Sequence, residues 1–286
     1  RVIYNLSLEM GGVKTYQNPV GFTCCVGSGM ENHSKYCENI YFHNNEELFV
    51  SQFIASELTW KDKGLTVTQS TRYPEEQGTT LTLNCENPVE LTLQVRYPNW
   101  ANQGIEMKVN GKSVKVKDAP GSFVSVNRKW KNGDILEVKF PFSLRLESMP
   151  DDENRVAVMF GPMVLAGDLG PEDDSNVADP LYVPVLLASD RNPESWTESV
   201  QGKANTFITM GTGKPKEVEF KPFYKTHERR YSVYFDIFSE ENWEKLEAEY
   251  IAKQEEIKRI EALTVDFFQL GEMQPERDHN FQSEGS

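Results

Sequence analysis

From about residue 46 to 165 the pattern is almost all strand, with apolar side chains at every second position of short segments. Val89, Leu91, Leu93, Val95 and Tyr97 alternate with Glu90, Thr92, Gln94 and Arg96, predicting a strand with one buried and one wet face. Ile105, Met107 and Val109 lead into Asn110-Gly111, with Val114 and Val116 beyond it, the signal of a two-residue hairpin. Asn132-Gly133 repeats that signal between Phe123–Trp130 and Ile135–Phe140. Many short strands separated by tight turns predict an antiparallel β-sandwich over 46–168. Val156–Gly167, a continuous apolar run, reads as a strand buried on both faces. Cys85 shares the inward face of Leu81 and Leu83, so it reads as a core thiol. Trp100 and Trp130, beside strand ends, read as core or corner residues.

Gly170–Asn176 is acidic and turn-rich and marks a boundary. Beyond it, Tyr231, Val233, Phe235 and Ile237 alternate with polar residues, so a second β domain is expected over 169–270. Ser239 opens a predicted helix to about Leu263, with Trp243, Leu246, Tyr250, Ile257 and Ile260 as its apolar stripe. Glu241/Lys245, Glu249/Lys253 and Glu255/Arg259 stand in the favourable i, i+4 order. Residues 271–286 are polar and read as a linker. The fold class is mainly β with one long surface helix. A net charge of −14, with no basic stripe, argues against a nucleic-acid partner. No apolar run approaches the length of a membrane span. The chain opens on Arg1 with residues that already read as structured, so it is expected to be part of a longer protein.

Chemistry concentrates at Cys24 and Cys25, in Gly21-Phe22-Thr23-Cys24-Cys25-Val26-Gly27-Ser28-Gly29-Met30-Glu31-Asn32. Adjacent cysteines close only a small strained ring, so a structural disulfide is a poor use of them. A soft metal ion, or one reactive thiolate beside a second, suits them better, and two packed thiols remain the plain reading. Ser28 and Glu31 have capping-box spacing, predicting a helix from Ser28 to near Asn39. Both sulfurs would then sit just ahead of a helix N-terminus, whose partial positive charge favours thiolate. Met30 and Cys37 share a face of that helix and read as packing residues. Cys37 lies too far along it to share a metal with the pair. His33, in the same helix, reads as a surface or capping residue.

The block from Gly21 to Tyr36, followed by Ile40-Tyr41-Phe42, resembles a signature of the β-L-arabinofuranosidase glycoside hydrolases of families 127 and 146. Arg96-Tyr97-Pro98-Asn99-Trp100-Ala101, Val109-Asn110-Gly111, Arg128-Lys129-Trp130 and Phe160–Gly167 resemble the β-sandwich that follows the catalytic domain there. Gly271–His279 resembles the connection to a further module. Cys37 departs from the family pattern, which has Gly there.

The resemblance implies the end of an (α/α)6-barrel catalytic domain over 1–45, then the two β domains. It implies a retaining glycosidase acting on plant arabinose-containing glycans, secreted or periplasmic. Cys24 would be nucleophile and zinc ligand, Cys25 a second zinc ligand, and His33 a candidate substrate contact. The acid/base Glu and the other two zinc ligands would precede Arg1, so the chain alone would be inactive. The alternative is a non-catalytic β-sandwich that binds carbohydrate or packs against a partner domain.

Overall fold

A computed structural model describes residues 3, 6–16, 24–173 and 183–271. The linker expected over 271–286 therefore lies almost wholly outside the described residues, as do 17–23 ahead of the cysteines and part of the acidic boundary. The first helix, α1, spans Cys24–Lys35 and runs into a 3-10 turn over Tyr36–Asn39. Ten strands follow: β1 (Tyr41–His43), β2 (Glu47–Val50), β3 (Ser56–Trp60), β4 (Leu65–Ser70), β5 (Gly78–Cys85), β6 (Val89–Tyr97), β7 (Glu106–Val109), β8 (Lys112–Val114), β9 (Ser122–Trp130) and β10 (Asp134–Lys139).

These strands make two sheets, ordered β1-β2-β6-β9 and β3-β4-β5-β10-β7-β8. All pairs are antiparallel except β2 with β6, where Leu48 faces Leu93 in parallel register. The alternation in β6 buries Leu91, Leu93, Val95 and Tyr97, as the sequence predicts. They meet Leu65, Val67, Leu81, Leu83, Leu136 and Val138 of the opposite sheet in one core. Trp130 is fully buried within it and donates Nε1–H to the Leu91 carbonyl (2.9 Å), so the indole loses no hydrogen bond on burial. Cys85 also lies in this core. Trp100, half-buried, packs edge-on against Phe140 and Phe142.

The two Asn-Gly signals have different outcomes. At Asn110-Gly111 both residues take positive φ (49° and 75°) and join β7 to β8 as a hairpin. Asn132-Gly133 does not make the expected hairpin: β9 pairs with β6 in one sheet and β10 with β5 and β7 in the other. Only Gly133 takes positive φ there, and Asn132 Oδ1 accepts the Cys85 amide of β5 (3.1 Å). The turn is a corner that carries the chain across the core, because the inward faces of β9 and β10 fill it from opposite sides.

The next strands are β11 (Leu144–Ser148), β12 (Arg155–Phe160), β13 (Met163–Pro171), β14 (Val185–Leu186), β15 (Thr197–Ser199), β16 (Phe207–Thr209), β17 (Gly213–Lys214), β18 (Glu219–Pro222), β19 (Arg229–Ser232) and β20 (Tyr234–Asp236). Eight of them form a third sheet ordered β11-β12-β13-β18-β16-β15, with β19 on β13 and β20 on β12; β14 pairs with β17. The junction expected at 168–169 falls inside β13.

The run Val156–Gly167 is buried on both faces as expected, but it folds into two strands rather than one. Gly161 takes φ 53° beside Pro162, and a Cβ there would lie 2.5 Å from the Phe142 ring. Positive φ at that contact leaves no room for a side chain. The alternating stretch 231–237 likewise divides into β19 and β20, on different partners. A second core gathers Val156, Val158, Leu165, Trp196, Phe220 and Phe235.

Residues from Phe238 onward form a separate compact unit. Ser239 caps its helix, α2 (Glu240–Gly271), by accepting the Asn242 amide on Oγ (3.2 Å). The helix runs past the expected end at Leu263 because no Gly or Pro interrupts it before Gly271. Of its acid–base pairs, Glu241–Lys245 closes at 2.6 Å. No described helix is long and apolar enough to cross a membrane.

Candidate functional site

The helix carrying the cysteines begins four residues earlier than the Ser28 cap predicts. Cys24 and Cys25 are its first two residues, not the loop ahead of it, and Ser28 lies in its interior. Glu31 pairs with Lys35 (3.4 Å) in solvent instead of capping. Both cysteines lie in the first turn, whose amides have no partner within a helix, and no side chain in that turn is acidic.

Both thiols are free and exposed, with Sγ atoms 3.7 Å apart. Two sulfurs on one tetrahedral zinc, each about 2.3 Å from it, stand about 3.8 Å apart, so the pair fits that ion without rearrangement. Among the described residues no third Cys, His, Asp or Glu joins them in a metal-sized group. Cys37 is exposed in the 3-10 turn, thirteen positions on and about 20 Å along the axis. Its expected packing with Met30 does not occur: Met30 is 62% exposed. His33 is about 13 Å along the helix from Cys24 and stacks on Tyr36 (centroids 5.6 Å apart). The structure therefore does not bring His33 to the thiols.

The segment leading to α1 is clasped by the third sheet. Gly12 pairs antiparallel with Tyr231, Gly11 N–H bonds the Tyr231 carbonyl (3.0 Å), and the Tyr231 hydroxyl donates to the Ser7 carbonyl (2.5 Å). Arg230 donates to the Gly11 carbonyl (3.1 Å), and the Tyr16 hydroxyl meets His227 Nδ1. Lys14 is buried, its ammonium donating to the Phe223 carbonyl and lying 4.1 Å from that ring's centroid. Burial, and then the charge of Lys221, push its pKa down to about 8. Nothing in Val13-Lys14-Thr15 marks a buried cation, because its partner is 209 residues away.

Residues 47–142 match the family model of the β-L-arabinofuranosidase GH127 middle domain. The match is a likeness over about a third of the chain. The motifs at Arg96–Ala101, Val109–Gly111 and Arg128–Trp130 fall inside the match; the cysteine block and Phe160–Gly167 lie outside it.

Three of the solved structures similar in fold illustrate the likeness. One is a GH127 β-L-arabinofuranosidase from Geobacillus stearothermophilus T6, with TM-score 0.59 and 18% identity over 75% of this chain. The second is a glycoside hydrolase, with TM-score 0.55 and 20% identity over 75%. The third is a GH127 β-arabinofuranosidase, with TM-score 0.53 and 23% identity over 70%. The matches cover 37%, 39% and 36% of those proteins, so the chain spans little more than a third of their length. No curated protein matches by sequence.

Proposed function

We propose that this chain is the C-terminal portion of a retaining β-L-arabinofuranosidase-like glycoside hydrolase, secreted or periplasmic, acting on plant arabinose-containing glycans. In this reading residues 1–45 close an (α/α)6 catalytic barrel and the β domains follow it. The observation that carries the reading is two free thiols 3.7 Å apart in the first turn of a helix, immediately before a GH127 middle domain.

A retaining glycosidase needs a nucleophile on one side of the anomeric carbon and an acid/base on the other. Cys24 is the nucleophile: its Sγ displaces the glycosidic oxygen, which takes a proton from the acid/base, and water later releases the sugar from sulfur. The first-turn amides of α1 favour negative charge at the attacking atom. Cys24 and Cys25 would also hold zinc, which keeps coordinated sulfur deprotonated. The acid/base and remaining ligands would come from the part of the longer relatives that this chain does not span. His33, two to three turns away, would be at most an outer contact to substrate.

The test is Cys24→Ala in the full-length enzyme, read by turnover of an aryl β-L-arabinofuranoside, zinc content and circular dichroism. Loss of turnover by at least about 10³-fold with an intact fold is expected, on the scale of removing a covalent nucleophile. Retained activity would overturn the assignment and favour a non-catalytic carbohydrate-binding or packing module.

A further inference from the structure

A cavity of about 650 Å³ opens on the third sheet, far in sequence from the cysteines and lined by residues of β13, β18 and β19 and of the loops between β15 and β16 and after β18. Among the described residues its walls carry four cations, Lys203, Lys221, Lys225 and Arg229, against two carboxylates, Asp168 and Glu219. The carboxylates lie beneath the cations. Asp168 is 10% exposed and holds Lys221 and Arg229, each at 2.6 Å, while Glu219 is 26% exposed and holds Lys203 at 2.7 Å. Lys203, Lys225 and Arg229 are 55%, 43% and 37% exposed, more than the two carboxylates that line the cavity. Glu75 of the sandwich reaches Lys225 (2.7 Å), and buried Lys14 adds a further positive charge near Lys221.

Arg229 uses Nε on Asp168, and its two terminal nitrogens have no bond among the described residues. That leaves the planar fork that matches a carboxylate. Among the described residues no aromatic side chain lines the cavity, so these residues offer a neutral sugar no stacking surface. On a chain of net charge −14, this local cation excess is a place where an anion can approach.

We propose that this cavity is a subsite for an acidic saccharide, a uronate whose carboxylate is taken by Arg229 together with Lys203 and Lys225. The choice of a uronate over inorganic anions rests on the glycosidase reading above. The subsite would hold the charged part of a glycan whose neutral arabinose is cut elsewhere.

The experiment is calorimetric titration of the 286-residue chain carrying Cys24→Ala with trigalacturonate, arabinotriose and inorganic phosphate at one ionic strength. Trigalacturonate is expected to bind, with arabinotriose and phosphate at least tenfold weaker. Arg229→Gln and the more exposed Lys203→Gln should each weaken trigalacturonate about tenfold or more, with unfolding midpoints measured alongside. Lys203→Gln keeps the test valid if Arg229→Gln disturbs the fold. Equal binding of arabinotriose, equal binding of phosphate, or no effect of Lys203→Gln would overturn the proposal. No bond is broken in this assay, so its failure is separate from failure of the nucleophile assignment.

Discussion

The sandwich over 41–139 and the helix that precedes it stand a few residues apart in sequence but in opposite physical situations. The sandwich closes a core from two sheets, with Trp130, Leu48, Leu83, Leu93 and Leu136 fully buried. In α1 only Val26 is buried, and Cys24, Cys25, Met30 and His33 all face solvent. A twelve-residue helix with one buried side chain draws little stability from packing. The packed core thus lies in the sandwich, whereas the helix leaves its two thiols exposed.

The thiols give the sharpest contrast between the two regions. Cys24, Cys25 and Cys37 should react with a thiol reagent at once, and Cys85 about a thousandfold or more slowly, limited by opening of the core. Mass-spectrometric labelling over time reads this directly; equal rates would show that the sandwich is not closed. Next in size, Trp130→Ala removes the largest fully buried side chain and should lower the unfolding free energy by about 3–5 kcal/mol in urea titrations. A loss below about 1 kcal/mol would mean that the core does not depend on it.

Asp168→Asn should cost about 1–3 kcal/mol, since Lys221 and Arg229 would lose their carboxylate. Burial raises the Asp168 pKa, but hydrogen bonds from Arg229 and Lys221 more than offset it and hold the carboxyl below its usual 3.8. Its contribution to stability is therefore full above pH 3.8 and is lost as pH falls below that value, so the wild-type and Asn curves should converge in acid. A constant gap across acid pH would contradict this. Smallest of all, Met30→Ala on the helix should change stability by less than about 0.5 kcal/mol. A larger loss would show that the helix is packed in solution.

The sandwich was legible in the sequence because a period of two leaves little choice: β6 coincides with Val89–Tyr97. What escaped depended on partners distant in the chain. Asn132-Gly133 has the letters of a hairpin, but the sheet that receives β10 is specified by residues 78–85. Gly161-Pro162 divides an unbroken apolar run because the Phe142 ring occupies the space a side chain would need. Ser28-x-x-Glu31 imitates a capping box inside a helix that has already begun, since a Ser in a helix interior reads like a Ser at its edge. The adjacency of Cys24 and Cys25 was plain, while their 3.7 Å separation is set by side-chain conformation that the sequence does not record.

The pairing of Gly11 and Gly12 with Tyr231 carries a consequence for biosynthesis. Arg230 and Gly11 are 219 positions apart, so the stretch ahead of the thiols cannot be fastened until β19 leaves the ribosome. At about 5–20 residues per second, the cysteine helix would spend roughly ten to forty seconds without that anchor on every newly made chain. For that interval Gly11 and Gly12 wait for the strand they pair with, while the two thiols that follow them are already outside the ribosome.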